Sequence, residues 1–258
     1  MIPIVLVGAA GRMGRAIEET ARGNPEYQIR ARIESPEHLP KSREGSPWSS
    51  DLSAFAAPGV VVIEFSTPAV SAETASTCAA RGAALVSGTT GLSPAEDAEV
   101  RDASRHVAVL RAANFSLGIQ VLREAVAAAL AAAPRDWDIE IVERHHRGKA
   151  DSPSGTALQI ARDAAAARGY PAESLRHGRE GRMGPRPEAE IGVHALRGGS
   201  WVGDHSLLLA GPGEWLELRH VAQDRGAFAH GALAAARFVA GAPAGLYNLG
   251  QMIRAAAL

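Results

Sequence analysis

A single cysteine, Cys78, leaves no internal disulfide to form, which excludes a secreted scaffold stapled by bridges. Positive charge is not in surplus either: 27 Lys and Arg stand against 28 Asp and Glu, a formal net charge of −1. Holding a polyanion through counterion release needs Lys and Arg in excess on one face, so nucleic acid is not expected as a partner. Long apolar runs are absent too. The longest, Ala125 to Ala133, is mostly alanine and far short of the ~20 residues a bilayer requires, so no membrane association is expected. The opening MIPIVLVGAAGRMG has no basic segment before its apolar run and reads as a strand rather than a secretory signal, which makes the cytoplasm the expected compartment. What is there, 46% hydrophobic and 21% charged residues in a chain of 258, fits a globular protein of one large domain or two modest ones.

Ile2 to Val7 is a β-branched apolar run that stops at Gly8, the pattern of a strand buried on both faces of a parallel sheet. Gly8, Gly11 and Gly14 follow at three-residue spacing, and Arg15 to Arg22 reads as a helix. Strand, glycine turn and helix together let backbone N–H groups approach a pyrophosphate at the positive end of a helix dipole. The GxxGxxG spacing is less specific than GxGxxG. Tyr27 to Ile33 then alternates apolar and polar residues and ends at Glu34, about 20 residues beyond the last glycine. A carboxylate there accepts hydrogen bonds from ribose hydroxyls and repels a 2′-phosphate, and neighbouring Ser35 and Pro36 bring no guanidinium. NADH is therefore favoured, with NADPH open as a second cofactor because His38, Lys41 and Arg43 lie nearby in sequence. The plainer alternative is an exposed glutamate at a strand end.

Val60 to Phe65, Ala83 to Ser87 and His106 to Arg111 read as further buried strands, with a helix from about Val70 to Arg81. Their polar tails, Ser66 to Pro68, Gly88 to Gly91 and Ala112 to Ser116, fall at strand carboxyl ends, where ligands lie in open α/β sheets. Cys78 sits within the helix with no base beside it and reads as a packing residue.

After Ser116 the alternation lapses into one Ala-rich helix, Leu117 to Ala133. Trp137 to Arg144, Ile191 to Arg197, His205 to Ala210 and Trp215 to His220 then read as strands, three of them in succession without helices between. The expected fold is α/β: a Rossmann-type parallel sheet domain plus a second α+β domain with an open mixed sheet. Its boundaries are 1–116, completed by 226–258, and 117–225. The second sheet has few helices to cover it, so its outer face suits self-association.

The densest polar cluster runs from Glu143 to Thr156, beginning at a strand end and leading into a helix expected over Ala157 to Arg168. Ser154, Gly155 and Thr156 occupy that helix entrance, where free N–H groups bind a carboxylate. His145, His146, Arg144, Arg147 and Lys149 make the spot cationic, and a small dicarboxylate suits it. Each residue has a plainer alternative. Adjacent His145 and His146 cannot both face one side of a regular strand. Paired histidines also suit zinc, but no regularly spaced partner set accompanies them and no metal is expected. Lys149 equally suits a Schiff-base nucleophile, and the arginines suit a solvated surface.

The run HHRGKADSPSGTA from His145 to Ala157, with Gly8 to Gly14, Gly88 to Gly91 and Ala113 to Ser116, resembles the 4-hydroxy-tetrahydrodipicolinate (dihydrodipicolinate) reductase family of bacterial diaminopimelate and lysine biosynthesis. The likeness runs from about residue 2 to the C-terminus in the same motif order. It implies His145 as proton donor and acceptor, Lys149 as proton donor, and His146 with Ser154, Gly155 and Thr156 as substrate ligands. For the cofactor it implies Gly8, Ala9, Ala10, Gly11, Arg12, Met13, Glu34, Gly88, Thr89, Thr90, Ala112, Ala113, Asn114 and Phe115. A homotetramer built through the C-terminal sheet is also implied. Ser35 stands where some relatives carry Arg, and Gly148 where a larger side chain can occur. The expected reaction is hydride transfer from NADH to a cyclic imine dicarboxylate with loss of water. A Schiff-base lyase using Lys149 and a non-catalytic dinucleotide sensor are the competing readings.

Overall fold

The structure is a computed structural model and describes residues 1–39 and 47–256. Lys41 and Arg43 lie outside the described residues. In chain order the elements are β1 (Ile2–Val7), α1 (Arg12–Ala21), β2 (Tyr27–Ile33), β3 (Trp48–Ser49), β4 (Val61–Glu64), α2 (Pro68–Arg81), β5 (Ala84–Ser87), α3 (Pro94–Ala103), β6 (Ala108–Arg111) and α4 (Leu117–Ala132). They continue with β7 (Asp138–His145), α5 (Gly155–Arg168), β8 (Leu175–His177), β9 (Ile191–Arg197), β10 (Gly203–Gly211), β11 (Glu214–Ala222), α6 (Gly226–Ala240), β12 (Gly245–Tyr247) and α7 (Leu249–Ala256). No described helix is long and apolar enough to cross a membrane. The chain divides into two compact units, 1–117 with 225–258, and 118–224.

The first unit is a parallel sheet in the order β12-β6-β5-β4-β1-β2-β3. Its strands are short and apolar on both sides because both faces are covered. Ile4, Leu6, Ile63, Val86 and Leu110 point into a core shared with Ile17 and with Ala229, Ala232, Ala235 and Ala236 of α6. Val5, Val7, Val62, Leu85 and Val109 point the other way, toward Ala75, Cys78 and Val100. Small side chains let α6 come close, and a Cβ on Gly231 would strike the Phe115 carbonyl. Strand order reverses at β1, so the crevice between the β1 and β4 carboxyl ends is the switch point where such sheets bind ligands.

The second unit is a mixed sheet, β11-β10-β7-β9-β8, with β10 antiparallel to both neighbours and β7, β9 and β8 parallel. One face is apolar where α4 and α5 pack: Ile139, Ile141, Ile191, Val193, Leu207 and Leu209 meet Leu122, Val126, Ile160 and Ala161. Along β7 every second residue is buried, and the series is Ile139, Ile141, Glu143, His145. The same face therefore turns from core to polar site at its carboxyl end.

Three expected boundaries move. The helix after the glycine turn starts at Arg12, not Arg15, because Gly11 has the extended backbone of an N-cap. The second starts at Pro68, a residue suited to a helix's first turn. The third starts at Gly155, since the Ser154 hydroxyl accepts the Ala157 N–H and caps it.

Candidate active site

In the first unit the glycine turn is built by the chain's own backbone. Gly8 has φ +76° and leaves no room for a Cβ against the Phe65 carbonyl, while a Cβ on Gly14 would run into Ala9. Gly8 and Ala9 N–H both donate to the Ile33 carbonyl, Gly11 N–H to the Gly8 carbonyl at 3.1 Å, and Ala10 N–H to Glu34 Oε1 at 2.7 Å. The loop N–H groups expected to meet a pyrophosphate are thus engaged internally. Donors without an intrahelical acceptor lie in the first turn of α1, at Arg12 and Met13, with no acidic residue beside them. An anion at that helix end, with Glu34 held against the loop through the Ala10 N–H and available to receive a ribose, fits a dinucleotide. His38 pairs through Nδ1 with Ser35 Oγ at 2.8 Å.

The polar tails converge on a carboxylate that the sequence reading missed. Glu64, fully buried at the end of β4, accepts the Ser66 N–H (2.7 Å) and the hydroxyls of Ser66 (2.6 Å), Ser71 (2.7 Å), Ser87 (3.0 Å) and Thr89. It ties the β4 tail to the β5 tail. Beyond them a cavity of ≈ 520 Å³ is lined by Thr89, Thr90, Gly91, Arg111, Ala112 and Ala113 together with Leu246, Tyr247, Asn248 and Gln251. The last four also escaped the sequence reading. Asn114 Oδ1 accepts the Ser116 N–H at 2.8 Å and shapes its own turn. Two expected ligands are core side chains: Phe115 is 1% exposed with its ring edge-on to Phe65 at 5.3 Å, and Ala9 is 1% exposed, so only their backbones can serve a ligand. Gly88 has no Cβ because the Phe65 ring fills that space. Burial raises the Cys78 thiol to about 12, and the nearby Glu64 charge adds to this, as suits an inert packing residue.

In the second unit, β7 ends at His145, so His146 is free of the strand's alternation. The end of β7 is pinned: Gly198 N–H donates to the His145 carbonyl (3.1 Å) and His146 N–H to the Trp201 carbonyl (2.8 Å). His145 Nδ1 lies 2.6 Å from Glu143 Oε2. Burial raises the Glu143 carboxyl, but hydrogen bonds from Arg197, His145 and the Ser154 N–H outweigh it and hold it below its ordinary range. Lys149 Nζ pairs with Asp151 Oδ1 at 2.7 Å, and Arg197 holds the Asp151 carbonyl at 2.7 Å. Thr156 and Gly155 occupy the first turn of α5, the anion-favouring end of that helix.

Two of the expected site residues, one cationic and one at the helix entrance, lie elsewhere in role. Arg144 alternates to the opposite face of the sheet, where it pairs with Asp204 at 3.1 Å alongside Arg219. Ser154 is 3% exposed, with its hydroxyl held between the Ala157 N–H and His205 Nε2, so it shapes the entrance instead of touching a ligand. Arg147 is exposed. Arg197 and His205 are additions: β7–β9 pairing sets Arg197 opposite His145, and β7–β10 pairing sets His205 opposite Glu143. Nothing in linear spacing signals either one, since only strand register brings them in.

The site thus combines a histidine on a buried carboxylate, a lysine on a short acidic tether and a helix entrance, in a chain whose first unit carries a dinucleotide-type switch point. Comparison with known proteins gives the family. Residues 2–115 match the family model described as dihydrodipicolinate reductase, N-terminus, and residues 118–253 the one described as dihydrodipicolinate reductase, C-terminus. A 4-hydroxy-tetrahydrodipicolinate reductase from Anaeromyxobacter sp. is 40% identical over 98% of each chain, and one from Desulfovibrio desulfuricans 41% identical over 96% of this chain and 98% of that one. Among solved structures, a dipicolinate-bound dihydrodipicolinate reductase from Paenisporosarcina sp. superposes with a TM-score of 0.77 at 25% identity, covering 96% of this chain and 97% of the other. With both halves of the chain matched in order and relatives alike over nearly its whole length, the chain belongs to the dihydrodipicolinate reductase family.

Proposed function

We propose that the protein is an NAD(P)H-dependent reductase that converts 4-hydroxy-tetrahydrodipicolinate to tetrahydrodipicolinate with loss of water, in diaminopimelate and lysine biosynthesis. Family membership supports this, and the observation that carries it is the gathering of His145, Lys149 and the α5 entrance at one end of a sheet. When bound, the reduced nicotinamide supplies the hydride. Overall the ring gains one hydride and one proton and releases water.

The residues of this chain do the rest. Gly155, Thr156 and His146 hold the two carboxylates, using the first-turn N–H groups of α5 and its dipole. Fixing both carboxylates removes rotational freedom from the ring before reaction. Lys149 donates a proton as negative charge develops on the ring, and His145 exchanges one with it, an effect worth about 10²–10⁴ in rate. In the first unit, Arg12 and Met13 amides meet the pyrophosphate, Glu34 meets the ribose, and the tails at Gly88 to Thr90 and Ala112 to Asn114 face the remainder. Glu34 with Ser35 beside it supports a preference for NADH over NADPH.

We also read the protein as a cytoplasmic homotetramer. Edge strand β11 supports self-association, because it exposes Trp215, Leu216 and Val221.

The test supplies freshly condensed pyruvate and aspartate semialdehyde with NADH or NADPH in parallel and follows loss of reduced-nicotinamide absorbance. Oxidation with both cofactors, faster with NADH, is expected. Flat traces with both cofactors would remove the activity. Borohydride trapping of substrate on Lys149 would favour a lyase instead.

A further inference from the structure

Glu143 is fully buried, accepts three hydrogen bonds from fixed donors and meets His145 in a fourth contact. Oε1 accepts the Ser154 N–H at 2.9 Å and Arg197 Nη2 at 2.8 Å; Oε2 accepts Arg197 Nη1 at 2.7 Å and lies 2.6 Å from His145 Nδ1. Arg197 and the backbone amide can only donate. A bidentate guanidinium spans both oxygens and the amide adds a third donor, the arrangement that favours an ionised carboxylate, which accepts and never donates. The hydrogen between Glu143 and His145 therefore belongs to Nδ1.

We propose that Glu143, clamped by Arg197, is a positioning residue that keeps His145 in the Nδ1–H form, so that Nε2 is the atom whose proton comes and goes. Nδ1 keeps its hydrogen whether the ring is neutral or cationic. Nε2 makes no hydrogen bond to any described residue, and it is not among the fully buried atoms without a partner. Gly203 leaves it room, since a Cβ there would come within 3.3 Å of Nε2. The edge of the His205 ring, 5.1 Å away between centroids, limits the rotation of the His145 ring.

The same carboxylate couples three parts of the site. Through the Ser154 N–H it fixes the N-cap of α5. Through Arg197, which also grips the Asp151 carbonyl, it fixes the segment whose Asp151 carboxylate holds Lys149. A single buried charge thus sets the histidine tautomer, the helix entrance and the lysine tether. Such outer partners typically account for 10- to 100-fold in activity at metal-bound histidines, and the orienting logic is the same for a proton-carrying one.

The kinetic arm of the test rests on the proposed reduction, while the spectroscopic arm does not. Protein labelled with ¹⁵N-histidine is observed by NMR at a pH where the rings are neutral, and His145 is assigned from the signal lost in His145→Gln. Wild type is expected to show a protonated Nδ1 and a bare Nε2, the reverse of the form favoured by a free histidine side chain. In Glu143→Gln the amide NH₂ turns toward Nδ1, and the ring is expected to switch to the Nε2–H form. Its kcat is expected to fall about 10- to 100-fold with NADH affinity unchanged. A wild-type His145 already in the Nε2–H form overturns the proposal, as does a Glu143→Gln variant with wild-type kcat. Should that variant fail to fold, the wild-type spectrum still decides. A wild type with no reductase activity but an Nδ1–H ring would remove the proposed reaction and leave the positioning intact.

Discussion

Ser154 and His205 lie 51 residues apart and meet through Oγ and Nε2 at 3.0 Å, in a position where neither side chain is more than 3% exposed. The contact joins the cap of α5 to strand β10 and places an imidazole in an interior that resists its charge. Burial, reinforced by neighbouring His145, lowers the His205 pKa to about 4.

That shift gives a stability–pH prediction. Between the ordinary pKa of 6.5 and about 4, the unfolded chain takes up a proton that folded His205 refuses, so stability falls as pH drops through this window. Above the window the group has no effect. Glu140 acts with the same sign lower down. Burial raises its carboxyl, but Arg179, His194 and Arg186 bring it to about 2, so its contribution is present above its ordinary 4.5 and lost as pH falls below it. Urea unfolding should show a loss of up to roughly 3 kcal/mol from His205 between about pH 6.5 and pH 4. His205→Gln keeps a partner for Ser154 without titrating and should flatten that slope. An unchanged slope would show that His205 is not the group responsible.

Lys149→Ala is expected to lower kcat by about 10²–10⁴ while NADH affinity stays within about twofold. Lys149 belongs to the second unit and the dinucleotide residues to the first. Stopped assays paired with fluorescence titration of NADH separate the two effects. An equal loss of cofactor binding would contradict the division of labour.

Glu34→Arg should move cofactor preference toward NADPH, raising the NADPH:NADH ratio of kcat/KM by about tenfold or more, since a charge-assisted hydrogen bond is gained on one cofactor and lost on the other. Glu34 also accepts the Ala10 N–H at 2.7 Å, so both absolute values should drop somewhat. Initial rates with each cofactor provide the check, and an unaltered ratio would place the discriminating residue elsewhere.

Gly14→Ala tests why the third glycine is there. Its Cβ would collide with Ala9, forcing α1 away from β1 at a cost of about 1–3 kcal/mol and weakening dinucleotide binding with it. Thermal unfolding with and without NADH measures both. Full stability with lost affinity would instead mean that the glycine makes room for the ligand.

Much of this molecule is legible in its sequence because local patterns carry it. The buried runs of β1, β4 and β5 have period-free apolar character that fits only a doubly covered sheet, and HHRGKADSPSGTA announces a site on its own. Helix α3 was missed although Ser93 and Glu96 form a capping box, a signal that could have found it. Arg144 was misplaced because charge counted along the chain ignores strand alternation, which sends it to the far face from His145. Arg197, Glu64 and the Leu246 to Gln251 segment were not readable at all. Their roles arise from register between strands distant in sequence, and no local spacing encodes it.

Deuterium tracing tests the proposed reaction most directly. NADH carrying deuterium at the transferable position of its nicotinamide is mixed with enzyme and freshly condensed pyruvate and aspartate semialdehyde, and the product is identified by mass spectrometry. One deuterium in tetrahydrodipicolinate, formed about 10²–10⁴ times more slowly when Lys149→Ala replaces wild type, is the expected result. Unlabelled product, or a condensation adduct left unreduced, would contradict hydride transfer by this protein.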